Sequence, residues 1–370
     1  MKAKTYLDYN ATTPIRSEAQ SAINDALNAP HNASSIHSHG REGRKIIETA
    51  REHVAALVGA TANQIIFSSG ATEGNNTILR HFEDEHILVS AIEHPSVLET
   101  VPNAQHIAVT SKGTLDLNAL ERALKAKKTA LVSVMLANNE TGVIQPVKEA
   151  AALAHEHGAL FHCDAVQAAG RIPLNMAEYG IDFLTLSSHK IGGPQGVGAI
   201  ALGICGIAPS LLRGGGQERG MRAGTENVAG IAGFGAAAKL AHEELGHNQS
   251  KTAALQKNLE TALSNIKDII IYGQNTRRIN NTTLFSLPGA SSETLLMALD
   301  LEGIAVSNGS ACSSGRIAPS HVLKAMNASK EESAGTLRIS TGWNTSQNDI
   351  DRFLEVWQNI INRIKDKTNA

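Results

Sequence analysis

Two residues stand just past apolar strand-like runs where a charge is costly: Asp164, after Ala159–Cys163, and Lys190, closing Ser187-Ser-His-Lys. A carboxylate buried there must meet a cation or a strong donor. A lysine there loses the solvation that favours its charged form, so its amine moves toward the nucleophilic state. A third segment, Ser68-Ser-Gly-Ala-Thr-Glu-Gly-Asn-Asn, opens a helix after a strand. Gly70 permits close backbone approach, and the first helical N–H groups with the Thr72 hydroxyl suit a phosphate. Taken singly, these are an ordinary capped helix, a structural acid and a salt-bridged lysine. Together they meet the needs of one cofactor, pyridoxal phosphate: a phosphate cradle, an acid opposite a pyridine nitrogen, and an amine for a Schiff base. The glycine-rich run Gly192-Gly-Pro-Gln-Gly-Val-Gly matches no dinucleotide fingerprint, and there is no GxxxxGK[ST] P-loop.

Cys312 lies in Ser307-Asn-Gly-Ser-Ala-Cys-Ser-Ser-Gly, a run of small polar residues with few apolar anchors, which predicts a mobile loop bearing a reactive thiol. Cys163 and Cys205 sit among apolar neighbours and read as core. His94, in Glu93-His-Pro at a strand end, suits stacking on a ring or shuttling a proton. The His155, His157, His162, Cys163 group and the His31, His37, His39 group match no HExxH or paired CxxC spacing, so no metal site is expected.

These residues need a frame. Strand-like runs at Gln64–Ser68, His86–Ser90, Ala104–Val109, Thr129–Ala137, Ala159–Cys163, Asp182–Ser187 and Val197–Leu202 alternate with helical patterns at Gly40–Val58, Thr72–His81, Leu117–Lys125 and Val147–Glu156. That alternation predicts an α/β fold, a mainly parallel seven-stranded sheet sandwiched by helices. Ligands bind beyond the carboxyl ends of such strands, where Ser69, His94, Asn138, Asp164 and Ser187 all fall. After Arg222 the pattern changes to long helices over Glu226–Gly246 and Ser250–Asn265, strands at Ile269–Tyr272, Thr282–Ser286, Ala305–Ser307 and Thr336–Ile339, and a last helix over Gln347–Ile364. Two domains are expected: a large one over 14–245, and a smaller α+β one of 1–13 plus 246–370 carrying the Cys312 loop.

Composition narrows the class. With 33 Lys+Arg against 35 Asp+Glu in 370 residues, the net charge of −2 excludes a strongly basic nucleic-acid footprint. Three cysteines cannot build a disulfide framework, which favours a reducing, cytoplasmic setting. No apolar run follows Lys2 and Lys4, so no secretory signal is expected, and the uncharged stretch Ile191–Leu212 is too broken by glycine and proline to span a membrane.

In combination and order, these motifs resemble the cysteine desulfurase family of the class V aminotransferase group, the IscS/NifS type. The resemblance runs from Leu7-Asp-Tyr-Asn-Ala-Thr-Thr-Pro through Ser34-Ser-Ile-His-Ser-His-Gly-Arg, Asn138-Asn-Glu-Thr-Gly, His162-Cys-Asp-Ala-Val-Gln, Ser187-Ser-His-Lys-Ile, Gly214-Gly-Gly-Gln-Glu, Arg222-Ala-Gly-Thr-Glu-Asn and Ser310-Ala-Cys-Ser-Ser-Gly to Gly335-Thr-Leu-Arg-Ile-Ser. It implies a homodimeric fold type I enzyme with pyridoxal phosphate bonded to Lys190. Ala71, Thr72, Ser187 and His189 would hold the phosphate, with Thr225 reaching across from the second subunit. His94 would stack on the ring, Asp164 would pair its nitrogen, and Gln167 would bond the phenolic oxygen. Asn139 and Arg338 would grip a substrate carboxylate, the planar guanidinium matching it with parallel hydrogen bonds.

The implied reaction takes sulfur from L-cysteine, leaving L-alanine: Lys190 removes the α proton, His94 shuttles a proton, and the Cys312 thiolate receives the sulfur as a persulfide. An iron–sulfur scaffold or another sulfur acceptor would take it onward, and Cys312 could serve as a transient cluster ligand with that scaffold. A selenocysteine lyase or an aminotransferase on the same fold is the alternative, for which Cys312 would be dispensable. A non-catalytic sulfur-trafficking module is a third reading, opposed by Lys190. The chain departs from the family at Trp343, where arginine is usual, at Gly74, where serine is common, and at Gln195, where lysine is common. The 32 residues after Arg338 are fewer than in housekeeping members.

Overall fold

The computed structural model describes residues 4–309 and 320–368, with side chains to 363. In chain order the strands are β1 Thr5–Tyr6, β2 Ile65–Ser68, β3 Ile87–Ser90, β4 Gln105–Ile107, β5 Leu131–Ser133, β6 Leu160–Asp164, β7 Phe183–Ser187, β8 Gly198–Leu202, β9 Ile270–Ile271, β10 Thr282–Ser286, β11 Ile304–Ala305 and β12 Thr336–Ser340. Seven of them form one sheet in the order β2-β8-β7-β6-β5-β3-β4. Every pairing from β7 to β4 is parallel, and only β8 runs against its neighbours β7 and β2.

Side-chain alternation divides this sheet between two apolar cores. Ile65, Phe67, Leu88, Val132, Leu184, Leu186, Ala199 and Ala201 join one core, whose helical side includes Ile47, Val54 and Phe234. Their neighbours Ile66, Ile87, Val89, Leu131, Phe183 and Ile200 join another with Ile78, Leu79 and Phe82. A strand with period two and both faces apolar can be satisfied only between two helical layers, which is why these runs carry almost no polar residues. Helices Ser38–Leu57 and Val228–Glu243 lie on the first face and Ala71–His81 on the second.

The C-terminal part builds a separate core from Leu255, Leu259, Phe285, Leu299, Phe353 and Trp357, with Leu7 from near the start of the chain. Trp357 meets Phe285 edge-on at 5.3 Å between ring centroids, the geometry that the aromatic quadrupole favours. Here β10 lies between β9 and β12 in an antiparallel sheet, and β1 pairs in parallel with β11. Asp8 then bridges to Ser340 at the end of β12. The start of the chain is thereby carried to the edge of the large sheet.

The expected strand Thr129–Ala137 is shorter, Leu131–Ser133, but parallel pairing continues as Val134 donates to the His162 carbonyl and Leu136 to that of Asp164. The two helices expected over Glu226–Gly246 and Ser250–Asn265 are found as Val228–Glu243 and Leu245–Ser264, with the break at Glu244. Helices Ser17–Leu27, Pro95–Leu98, Ser292–Leu301, His321–Ala325 and Lys330–Ala334 were not expected from the pattern. Three of these five span five residues or fewer, below the length at which helical periodicity is readable. Among the described residues no helix is long and apolar enough to cross a membrane.

Candidate active site

The carboxyl ends of the parallel strands, the segment around Asp8 and the strand β12 close around a cavity of about 680 Å³. Ala71, Thr72, His94, Asn139, Asp164, Gln167, Ser187, His189, Lys190 and Arg338 all line it. Residues distant in sequence share it because strand ends on one edge of a parallel sheet point the same way.

At one end, helix Ala71–His81 begins after Gly70 with no side chain capping its first turn. Those N–H groups, at the positive end of the helix dipole, are free to meet an anion. A Cβ built on Gly70 would meet no atom within 4 Å, whereas one on Gly198 would lie 2.6 Å from the Gly70 Cα. The cradle is therefore open on its ligand side and backed by a glycine of β8 on the other. Glu73, which could oppose an anion there, is neutralised by Arg222 at 3.0 Å and accepts the Ser69 N–H at 2.9 Å.

Further in, Asp164 accepts from the Asn75 amide at 2.9 Å and from the Val166 N–H at 3.0 Å. Asn75 is fully buried and is itself held by Thr185, whose hydroxyl donates to its Oδ1 at 2.7 Å. Gly74 makes this reach feasible: a Cβ there would stand 3.0 Å from the Thr185 methyl and 3.2 Å from Ile200, so the bare residue lets the helix lie close on β7 and β8.

Lys190 donates to the carbonyls of Asn10 and Ala11. Burial first, then the cations Arg171 and Arg338, lower its pKa from 10.5 to about 7, against the opposing pull of Asp8 and Asp164. An amine poised near neutrality can act as nucleophile and then as base. His94 accepts the Ser96 N–H on Nδ1 at 3.1 Å, which leaves the proton of the neutral ring on Nε2. Burial, offset in part by Asp164 and reinforced by Lys190, lowers its pKa and favours that neutral form. His189 is pushed down to about 4 by burial, Lys190 and Arg171. It too is neutral at physiological pH.

Arg338, only 5% exposed, pairs with Asp8 at 2.7 Å and donates to the Asn139 carbonyl at 2.8 Å. Among the described residues its Nε is buried without a partner, a donor still to be satisfied. Asn139 is presented by Asn138, whose side chain accepts the Glu140 and Thr141 N–H groups and donates to the Ile92 carbonyl.

Thr225 is exposed and is not among the described residues that line the cavity. Cys312 lies outside the described residues, although Gly309, three positions before it, lines the cavity. The sequence reading assigned no role to Asp8, Asn10 or Asn75. The first two stood in the quoted Leu7-Asp-Tyr-Asn motif, and Asn75 was visible as a polar residue on the apolar face that also carries Ile78 and Leu79. Trp343 packs its ring over the Arg16 guanidinium, 5.0 Å from the ring centroid, while Arg16 pairs with Glu244. Among the described residues no group of three or more His, Cys, Asp or Glu side chains is placed to hold a metal ion.

The profile described as Aminotransferase class-V matches residues 5–353. The chain belongs to the class-V aminotransferase family. Over 380 residues it is 40% identical to the cysteine desulfurase IscS of Dictyoglomus turgidum, covering 99% of this chain and 96% of that one. It is 43% identical over 377 residues to a cysteine desulfurase of a Nostoc species, covering 97% and 93%. Among solved structures, the NifS-like protein of Rickettsia africae superposes with a TM-score of 0.92 at 39% identity, covering 97% of this chain and all of that one. The fold is that of the family's type I pyridoxal phosphate enzymes.

The family's cofactor fits this donor set. Its phosphate matches the uncapped helix N-terminus and the open space at Gly70, its pyridine nitrogen matches the carboxylate of Asp164, and its aldehyde matches the amine of Lys190.

Proposed function

We propose that this chain is a cysteine desulfurase: it takes sulfur from L-cysteine, releases L-alanine and holds the sulfur as a persulfide on Cys312. One observation carries the reading. A lysine amine with a pKa of about 7 shares a cavity with an arginine that, among the described residues, keeps an unpaired donor, and Gly309, which lines that cavity, stands three positions before the only cysteine set among small polar residues. The full-length relatives named cysteine desulfurase support it.

Bound pyridoxal phosphate supplies an aldehyde for the substrate amine and a sink for the electrons of its α carbon. Arg338 and Asn139 seat the substrate carboxylate, and Asp8 keeps the guanidinium in register. Asn75 holds Asp164, whose carboxylate would pair the ring nitrogen of the bound cofactor. Lys190, neutral above about pH 7, takes the α proton. His94, neutral with its proton on Nε2, would stack on the cofactor ring and shuttle a proton. In the sulfur step the C–S bond breaks as the Cys312 thiolate forms an S–S bond with the departing sulfur. The substrate carbon skeleton recovers protons and leaves as alanine, so cysteine and enzyme thiol become alanine and enzyme persulfide.

The same reading takes the protein to be a cytoplasmic homodimer, with Thr225 completing the partner's phosphate cradle and an iron–sulfur scaffold or another acceptor receiving the sulfur. It divides the chain into 14–245 and 1–13 plus 246–370, a division that the separate apolar core around Trp357 supports.

The decisive experiment incubates cofactor-loaded protein with L-cysteine and a reductant and measures alanine and sulfide. Stoichiometric alanine is expected, and Cys312→Ala should abolish sulfur release while leaving the cofactor absorbance intact. Undiminished sulfur release from cysteine by that variant would sink the reading and favour an enzyme that does without the thiol.

A further inference from the structure

The turn Ala165–Gly170 that follows β6 ends at a residue to which neither the sequence motifs nor the reaction assign a task. Gly170 has φ +69, and a Cβ there would come within 2.9 Å of the Ala241 Cβ. This tight left-handed turn returns the chain beneath Gln167, so that Arg171 lies against it four residues on. Arg171 donates to the Gln167 side-chain oxygen and to the Gln167 carbonyl, and more distantly to the carbonyls of Tyr9 and Lys190. All these acceptors are neutral oxygens, so its positive charge has no carboxylate to cancel it among the described residues. Gln249 fixes the Arg171 backbone by donating to its carbonyl at 3.0 Å.

Two consequences follow for the cavity. With its oxygen taken by Arg171, the Gln167 amide must keep its NH2 on the other side, where it donates to the Asn10 carbonyl at 3.1 Å. That carbonyl also accepts from Lys190. Gln167 is thus oriented as a donor in the cavity, and a Gln167 flipped the other way would present an oxygen to the cofactor's phenolic oxygen.

The second consequence is electrostatic. The charged groups that bear on Lys190 are Arg171 from the turn after β6, Arg338 from β12, Asp8 from the N-terminal segment and Asp164 from β6. The imidazoles of His94 and His189 also face it, both favoured in their neutral form. Of the two cations, Arg338 is paired with Asp8, and Arg171 is not.

We propose that Arg171 is the positioning residue of the cofactor site, holding Gln167 in its donor orientation and keeping the Lys190 amine available for the aldehyde. This rests on the pyridoxal phosphate site and not on which substrate is used.

The test follows capture of pyridoxal phosphate by cofactor-free protein across pH, read by absorbance and by borohydride fixation at Lys190. Removing an uncancelled cation raises the amine's pKa, and each unit of rise cuts the neutral fraction about tenfold below the midpoint. In Arg171→Met the midpoint of the capture rate should move up by about one pH unit, while Arg171→Lys, which keeps the charge, should stay near the wild-type midpoint. The absorption maximum of the captured cofactor reads the second role, and Arg171→Met should move it in the same direction as Gln167→Leu.

An unmoved midpoint and maximum in folded Arg171→Met would overturn the proposal. So would an Arg171→Lys midpoint shifted as far as that of Arg171→Met, because charge would then not be the agent. Wild-type protein that fixes no cofactor at Lys190 would instead sink the cofactor site itself, a separate result from either of these.

Discussion

Two buried arginine–carboxylate pairs in this molecule use the same groups to different ends. Arg51 and Glu218 are 4% and 3% exposed and meet through two hydrogen bonds of 2.7 and 2.9 Å. Arg51 also reaches the Ile65 carbonyl and Glu48, and its guanidinium lies over the Phe67 ring, while Glu218 accepts the Phe67 N–H. The cluster is closed. Arg338 and Asp8 meet through one hydrogen bond, the acid is 19% exposed, and among the described residues the Arg338 Nε is left without a partner. A pair with every donor engaged can only hold the fold together, whereas one with a donor to spare can also take a ligand.

The largest effect should come from opening the closed pair. Glu218→Ala strands the Arg51 charge in the core and should cost about 3–5 kcal/mol of stability, measured by denaturant unfolding of the cofactor-free protein. The surviving folded fraction should bind L-cysteine normally. A raised KM with unchanged stability would reverse the roles assigned to the two pairs.

His162 tests whether an unpaired atom alone marks function. Among the described residues its Nε2 has no partner, yet the residue does not line the cavity, and its Nδ1 meets the Ser133 hydroxyl at 2.8 Å. Burial lowers its pKa from 6.5 to about 4. Between those values the unfolded chain binds a proton that the folded one refuses, so stability is complete above 6.5 and is lost as pH falls toward 4. The contribution is about 3 kcal/mol, and His162→Gln should flatten the acid side of the stability–pH curve by roughly that amount. An unchanged slope would show that the acid sensitivity lies elsewhere.

Opening the open pair should act on substrate. Arg338→Lys keeps the charge but loses the planar fork, and KM for L-cysteine should rise about a hundredfold with little change in melting temperature. Smaller still, Asn75→Ala leaves the Thr185 hydroxyl and one oxygen of Asp164 short of a partner. Stability should fall by about 1–3 kcal/mol and cofactor should dissociate faster. The smallest effect belongs to Trp343→Ala, which removes the ring from Arg16 and should cost about 1 kcal/mol without altering KM. A KM change there would tie the Trp343 departure to the substrate site.

Much of this was legible in advance because the residues concerned announce themselves locally. The seven strands of the large sheet fall within the runs expected for them, allowing for one residue at the end of β6, and apart from the partly exposed edge strand β4 the reason is that a strand buried on both faces is largely apolar. Helix Val147–Glu156 has the expected bounds, and the residues proposed for the cofactor, Thr225 apart, line one cavity. Other features stayed hidden. Asn75 looked like one polar residue among several in its motif, and only its contact with Thr185 and Asp164 distinguishes it. Arg171 carries no motif at all. The role proposed for it comes from a left-handed turn at Gly170 and from the absence of a nearby acid among the described residues, neither of which is written in residue spacing.

The sequence by itself determined which segments become strands and helices and which chemical groups stand at strand ends, because periodicity and burial cost act over a few neighbouring residues. The tertiary structure alone decided the partnerships: Asp8 beside Arg338, Asn10 beneath Lys190, Arg171 behind Gln167. These join residues 330, 180 and 4 positions apart. Even the shortest depends on how the chain turns, because a hydrogen bond or a charge acts through distances in space that chain order does not set.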